Sequence, residues 1–180
     1  MKVDIRRPLV KDVEELNRFF RTVITDTFEK EGIGDKVDDL EEEIGMKMSY
    51  LQSDLENGGL NRYFLVAIAG GKIIGSIEFG PASALIAECT KGALSGLMEV
   101  GTVFVHPAWQ RQGVGSLLLQ KIGDVLVRNG LEDICLDSGY IRAQAIWKKK
   151  FGPPEYVLKD YWGEGFDHFI WKIKVKDLMA

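Results

Sequence analysis

Residues 2–7 alternate apolar and charged side chains and stop at Pro8, the period of a half-buried strand. From Val10 the spacing changes. Val13, Leu16, Phe19, Phe20, Val23 and Ile24 recur at helical intervals, and Gly32 and Gly34 break the run. A second helical stretch covers about 37–55, with Leu40, Ile44, Met48, Leu51 and Leu55 on one face, and Asn57-Gly58-Gly59 closes it. Residues 63–69 and 72–79 read as two strands joined by the two-residue turn Gly70-Gly71. Residues 80–97 carry small side chains and weak periodicity, and read as a connection with room for a short helix.

A β-branched and aromatic run at 100–105 then halts at His106-Pro107. A polar turn and an apolar helix over about 112–129 follow, and Gly130 is placed to cap it. Residues 131–136 form another apolar strand, Asp137-Ser138-Gly139 a turn, and about 142–150 a helix stopped by Gly152-Pro153-Pro154. Two last strands are expected at about 156–162 and 166–175, around Gly163-Glu164-Gly165. The order β-α-α-β-β-β-α-β-α-β-β predicts an α/β fold, with residues 1–180 as a single domain.

Composition narrows the class. The chain is 46% apolar and 28% charged with a net charge of −4, which speaks against a broad nucleic-acid footprint. No stretch reaches the roughly 18–20 apolar residues of a membrane span, and the N-terminus lacks a signal-peptide core. A cytoplasmic protein with neither a nucleic-acid nor a membrane partner is expected. Acidic residues gather early: Glu29, Glu31, Asp35, Asp38, Asp39, Glu41, Glu42 and Glu43. They read as a solvated helix face, or as a rim that attracts a cationic substrate. Cys89 and Cys135 lack metal or redox spacing, and with two histidines no metal site is expected.

The candidate chemistry lies in EVGTVFVHPAWQRQGVGS, residues 99–116. Gln110, Gly113 and Gly115 stand in the spacing Q-x-x-G-x-G between a strand and a helix N-terminus. Backbone N–H groups there converge where the helix dipole adds positive charge, which suits a phosphate or pyrophosphate. A Rossmann reading fails for want of a third glycine and because the loop comes late; a P-loop reading fails because no Gly-Lys-Ser/Thr follows.

This loop, with Val105-His106-Pro107 before it and the element order around it, resembles the acyl-CoA loop of the GNAT superfamily of N-acetyltransferases. The resemblance implies a mixed central sheet splayed between strands 4 and 5, here about 98–105 and 131–137, with acetyl-CoA as co-substrate and no metal. Backbone groups of Arg111, Gln112, Gly113, Val114, Gly115 and Ser116 would hold the pyrophosphate. Those of Phe104 and Val105 would pair with the pantetheine, flanked by Tyr140 and Ala143. Trp147 stands where many members have a tyrosine that protonates the leaving thiolate. Trp cannot do this, so the role falls to Tyr140, to a tyrosine such as Tyr156, or to solvent.

An amine acceptor makes a further demand. With a pKa near 10.4, a lysine-like amine is less than about 0.1% neutral at pH 7, a deficit of roughly 4.6 kcal/mol. A base must take its proton. Glu99, eleven residues before Gln110, occupies the position where some GNAT members carry a general-base glutamate; an outward-facing or salt-bridged strand carboxylate is the plainer reading, and Glu78 is the next candidate. His106 reads as a turn residue before it reads as a base. Lys148, Lys149 and Lys150 either steer the cofactor or complement the helix dipole. Tyr161, Trp162, Phe166 and Trp171 could wall an acceptor pocket, with core packing expected of Trp171. The expected activity is acetyl transfer to a primary amine, either a small cationic amine or a lysine or N-terminal amine. A non-catalytic acyl-CoA-binding sensor is the alternative, and the resemblance allows a homodimer.

Overall fold

A computed structural model describes residues 2–180. Its elements are β1 (Asp4–Arg6), a 3₁₀ turn at Val10–Asp12, α1 (Val13–Lys30), α2 (Val37–Asn57), β2 (Tyr63–Ala69), β3 (Lys72–Pro81), α3 (Ala84–Cys89) and β4 (Met98–Val105). A 3₁₀ turn at Pro107–Trp109 precedes α4 (Val114–Arg128), β5 (Asp133–Ser138), α5 (Ile141–Phe151), β6 (Tyr156–Leu158), β7 (His168–Lys174) and α6 (Val175–Leu178). The strands form one seven-stranded mixed sheet in the order β1-β2-β3-β4-β5-β7-β6. The chain divides into two compact units: residues up to Phe79 with Thr102–Ile122, and Gly80–Gly101 with Gly123–Ala180.

In the first unit, β1, β2 and β3 pair antiparallel, and Gly70 and Gly71 both adopt the left-handed conformation that a tight hairpin demands. The apolar stripe of α1 buries Leu16, Phe20, Val23 and Ile24. Phe20 packs against Phe64 of β2 and edge-on against Phe104 of β4, with ring centroids 6.4 and 6.0 Å apart. A buried carboxylate ties α2 and β2 to the segment that follows β1. Asp54 of α2 accepts two 2.7 Å hydrogen bonds from Arg7 Nη2 and a third from the Phe64 backbone N–H.

In the second unit, β5 pairs antiparallel with β7 over six positions and parallel with β4 at Met98↔Ile134 and Glu99↔Cys135. Among the described residues the β4–β5 ladder holds these two pairs, and residues 136–138 pair with β7. Cys135 is buried beside Ile86, Leu94 and Ile170. Burial, with the Glu99 and Asp137 carboxylates adding to it, pushes its thiol up to about 12, so it serves as a core residue. Gly130 caps α4: its N–H donates to Val127 O, and that of Leu131 to Leu126 O.

Several boundaries differ from the periodicity. The strand expected at 156–162 ends at Leu158, because Asp160 turns left-handed and the segment closes on itself through Trp162 N–H to Phe166 O. Residues 80–97 do contain a short helix, α3, started by the Ser83 hydroxyl accepting from Ile86 N–H. α4 begins at Val114, two residues late, because Arg111 and Gly113 are left-handed. Among the described residues no helix is long and apolar enough to cross a membrane.

Asp54→Ala should lower unfolding free energy by about 3 kcal/mol, since it strands a part-buried guanidinium and a buried N–H. Urea denaturation measures this, and a loss below about 1 kcal/mol would contradict the assigned role.

Candidate active site

The glycine turn belongs to the first unit. β4 delivers the chain to His106, whose N–H donates to Ile74 O of β3 and whose Nδ1 accepts from Ala108 N–H. His106 is therefore a turn cap. Gln110 donates its side-chain amide to Val105 O at 3.2 Å, and Gln112 donates to Ala108 O at 3.0 Å, so both glutamines brace the turn. Arg111 and Gly113 have φ of 61° and 84°. Nothing lies within 4 Å of a hypothetical Gly113 Cβ, so its requirement is conformational.

The helix then starts at Val114. The N–H groups of Val114, Gly115 and Ser116 fall in the first turn, where an α-helix supplies no internal partner. Leu117 N–H already bonds Gly113 O. Gly115, with Val105 Cγ2 3.8 Å from a hypothetical Cβ, keeps this end open. Arg111, Gln112, Gly113 and Ser116 are exposed, whereas Val114 is buried and anchors the helix. Gly75 of β3 seats that anchor: a Cβ there would lie 2.9 Å from Leu118 Cδ1, 3.1 Å from Val114 Cγ1 and 3.2 Å from Phe104 O.

One turn back along β4, Thr102 has φ of 50°, an outlier for a β-branched residue. Its carbonyl accepts from Ser76 Oγ at 2.9 Å, and its hydroxyl donates to Glu78 Oε1 at 3.2 Å. Glu78 Oε2 accepts from Arg62 at 3.0 Å, and the Arg62 guanidinium stacks 3.5 Å over Tyr50. Glu78 is 2% exposed. Burial raises its carboxyl above the ordinary glutamate range, against the opposing pull of Arg62 and Lys47.

The second unit holds the other named residues. Glu99 is half-buried, and its Oε2 accepts from the Ser83 backbone N–H at 2.7 Å, just ahead of α3. Tyr140 caps the start of α5; its N–H donates to Ser138 Oγ and its carbonyl accepts from Gln144 N–H. Ala143 lies in the first turn of α5, and Trp147 one turn on, stacked on Phe151 at 5.7 Å. Lys148 sits 4.4 Å over the Phe169 ring and Lys150 donates to Ala180 O, so two of the three lysines have local partners. Trp171 is buried and donates to Gly152 O, whereas Tyr161 and Trp162 are exposed.

Two arrangements escaped the sequence reading. Buried Gln144 donates to both Ser138 O and Asp167 O, locking the turn before α5. His168 accepts from Trp162 Nε1 at 3.0 Å, which fixes its proton on Nε2, 2.9 Å from Asp137. Gly139 makes room for this: a Cβ there would meet Trp162 Nε1 at 2.6 Å. Neither residue stood out in advance, since His168 shares its strand face with Lys172 and Lys174, and Gln144 its helix face with Tyr140 and Lys148. Among the described residues, no group of three or more His, Cys, Asp or Glu could hold a metal ion.

A mixed sheet whose central strand passes through a glycine turn into a helix N-terminus defines an α/β protein. The chain belongs to the acetyltransferase (GNAT) family, whose sequence profile matches residues 23–152. Solved structures similar to it include a GNAT-family structure from Desulfovibrio desulfuricans, at 19% identity and TM-score 0.73 over 97% of this chain and 99% of that one. PaiA N-acetyltransferase from Thermoplasma acidophilum, in complex with coenzyme A, shows 20% identity and TM-score 0.69 over 97% and 99%. YncA from Salmonella typhimurium, with its cofactor acetyl-CoA, shows 16% identity and TM-score 0.67 over 97% and 95%. Among curated protein sequences, none matches.

Two predictions arise from these contacts. Gly75→Ala should push the first turn of α4 off the sheet and cost about 1–3 kcal/mol of stability, read by urea denaturation; an unchanged midpoint would contradict the packing. Glu78→Gln tests burial. A raised carboxyl contributes fully to folding below the ordinary glutamate range, and that contribution is lost as pH rises through its folded value. The melting temperature of the variant should therefore gain on the wild type as pH rises above the ordinary glutamate range. Parallel curves would contradict the burial effect.

Proposed function

We propose that this chain is an acetyl-CoA-dependent N-acetyltransferase that moves an acetyl group onto a primary amine. The observation that supports this best is the glycine turn: in a GNAT family member, it leaves the N–H groups of Val114, Gly115 and Ser116 at the positive end of α4. Arg111, Gln112 and Gly113 complete the pyrophosphate cradle. Phe104 and Val105 offer backbone groups to the pantetheine, and Tyr140, Ala143 and Trp147 its other contacts.

The amine nitrogen attacks the thioester carbonyl, the C–N bond forms, and the tetrahedral intermediate collapses with loss of the CoA thiolate. Rate comes from positioning and from backbone stabilisation of the oxyanion. Glu99 takes the amine proton, its carboxylate oriented by Ser83 N–H. Tyr140 returns a proton to the thiolate, a role Trp147 cannot fill. The acceptor is a small cationic amine, or a lysine or N-terminal amine. The acidic early helices support positive charge on it, although Glu41 and Glu43 already pair with Arg21 and Lys47.

Calorimetry with CoA and a thiol-release assay across an amine panel test this reading. Expected are micromolar binding and thiol release with at least one amine, reduced about 10²-fold or more by Glu99→Gln. Binding without thiol release for any amine would indicate a sensor. Stabilisation by ATP or NAD but not by CoA would overturn the cofactor assignment.

A further inference from the structure

We infer that Ser76 and Glu78 act as positioning residues: together they clamp Thr102 in its left-handed conformation, and the clamp sets the aim of residues 103–105 of β4. A left-handed residue cannot continue the pleat, so the direction of residues 103–105 is set at Thr102. Glycine takes such a conformation freely, yet Gly101 stands beside the strained position and a β-branched threonine occupies it. Strain of this kind persists only where the surroundings over-determine it.

Here they do. The Thr102 carbonyl is held by Ser76 Oγ and its hydroxyl by Glu78 Oε1, both from β3, two residues apart and hence on the same face of that strand. Glu78 is itself held by Arg62, and Arg62 by the ring of Tyr50. Thr102 and Ser76 are both buried, so water cannot replace either bond without opening the strand pair. Downstream, the segment runs to Val105, whose carbonyl anchors Gln110, and to His106, whose N–H bonds β3 at Ile74 O. The segment is thus fixed at both ends, and it is the one assigned to the pantetheine; that last link rests on the proposed function.

Three proteins separate this role from simple stabilisation. S76A/T102V removes both bonds and keeps the β-branched side chain. S76A/T102G removes both bonds and also the steric objection to a left-handed residue. CoA binding by calorimetry should weaken about tenfold in S76A/T102V and return to within about threefold of wild type in S76A/T102G. A network that only adds stability gives no such rescue, because glycine inside a strand otherwise weakens the fold. In the free proteins, amide exchange at residues 103–105 should follow the same order. Wild-type affinity in S76A/T102V, or S76A/T102G binding as poorly as S76A/T102V, would overturn the clamp. If the wild type itself fails to bind CoA, the cofactor reading falls, and the exchange ranking of the free proteins decides the clamp. Should the double variants not fold, S76A and T102V singly against T102G give the same ranking.

Discussion

The constraint on which this structure depends is carried by a single strand, β4, which lies between β3 and β5 in the sheet. At Met98 and Glu99 it runs parallel to β5, and at Thr102 and His106 bonds tie it to β3, through Ser76, Glu78 and Ile74. Between those two sets of bonds the regular pleat is interrupted. The left-handed backbone at Thr102 marks the place, and an ion-paired, almost fully buried glutamate supports it. The glycine turn and the first turn of α4 inherit their position from this strand.

The chemistry proposed follows from the same economy of parts. The proposed cradle for an anionic cofactor is main chain: three first-turn N–H groups, two left-handed residues and a helix dipole. Side chains around it have supporting work. Gln110 and Gln112 brace the turn, Val114 plugs the core, and Gly75 is small enough to let the helix approach. Carboxylates divide by environment. Glu78 is sealed in a network with both oxygens engaged, whereas Glu99 is half-buried and accepts from Ser83 N–H.

What the sequence made legible was local in origin. Helical spacing in α1 and α2, the Gly70-Gly71 hairpin, the Gly130 cap and the Q-x-x-G-x-G turn each depend on neighbouring residues, and each stands where expected. The family itself was readable from the turn and the element order. What stayed hidden depends on partners far apart in the chain. Ser76 and Thr102 are 26 residues apart, Arg7 and Asp54 47, and Asp137 and His168 31. Gly75 looked like any strand glycine until Val114 and Leu118 were seen against it. The over-long strand at 156–162 failed for a local reason: its aromatic residues satisfy β-propensity, but Asp160 is left-handed and Trp162 N–H closes a turn on Phe166 O.

The central claim is that the turn between β4 and α4 is a pyrophosphate cradle. The most direct measurement is a ¹⁵N NMR titration of the full chain with CoA, following the backbone amides of Gly113, Val114, Gly115 and Ser116. The account predicts that these amides shift, and that pyrophosphate alone moves the same set more weakly. Saturating CoA that leaves all four unmoved, or shifts confined to other parts of the chain, would contradict it.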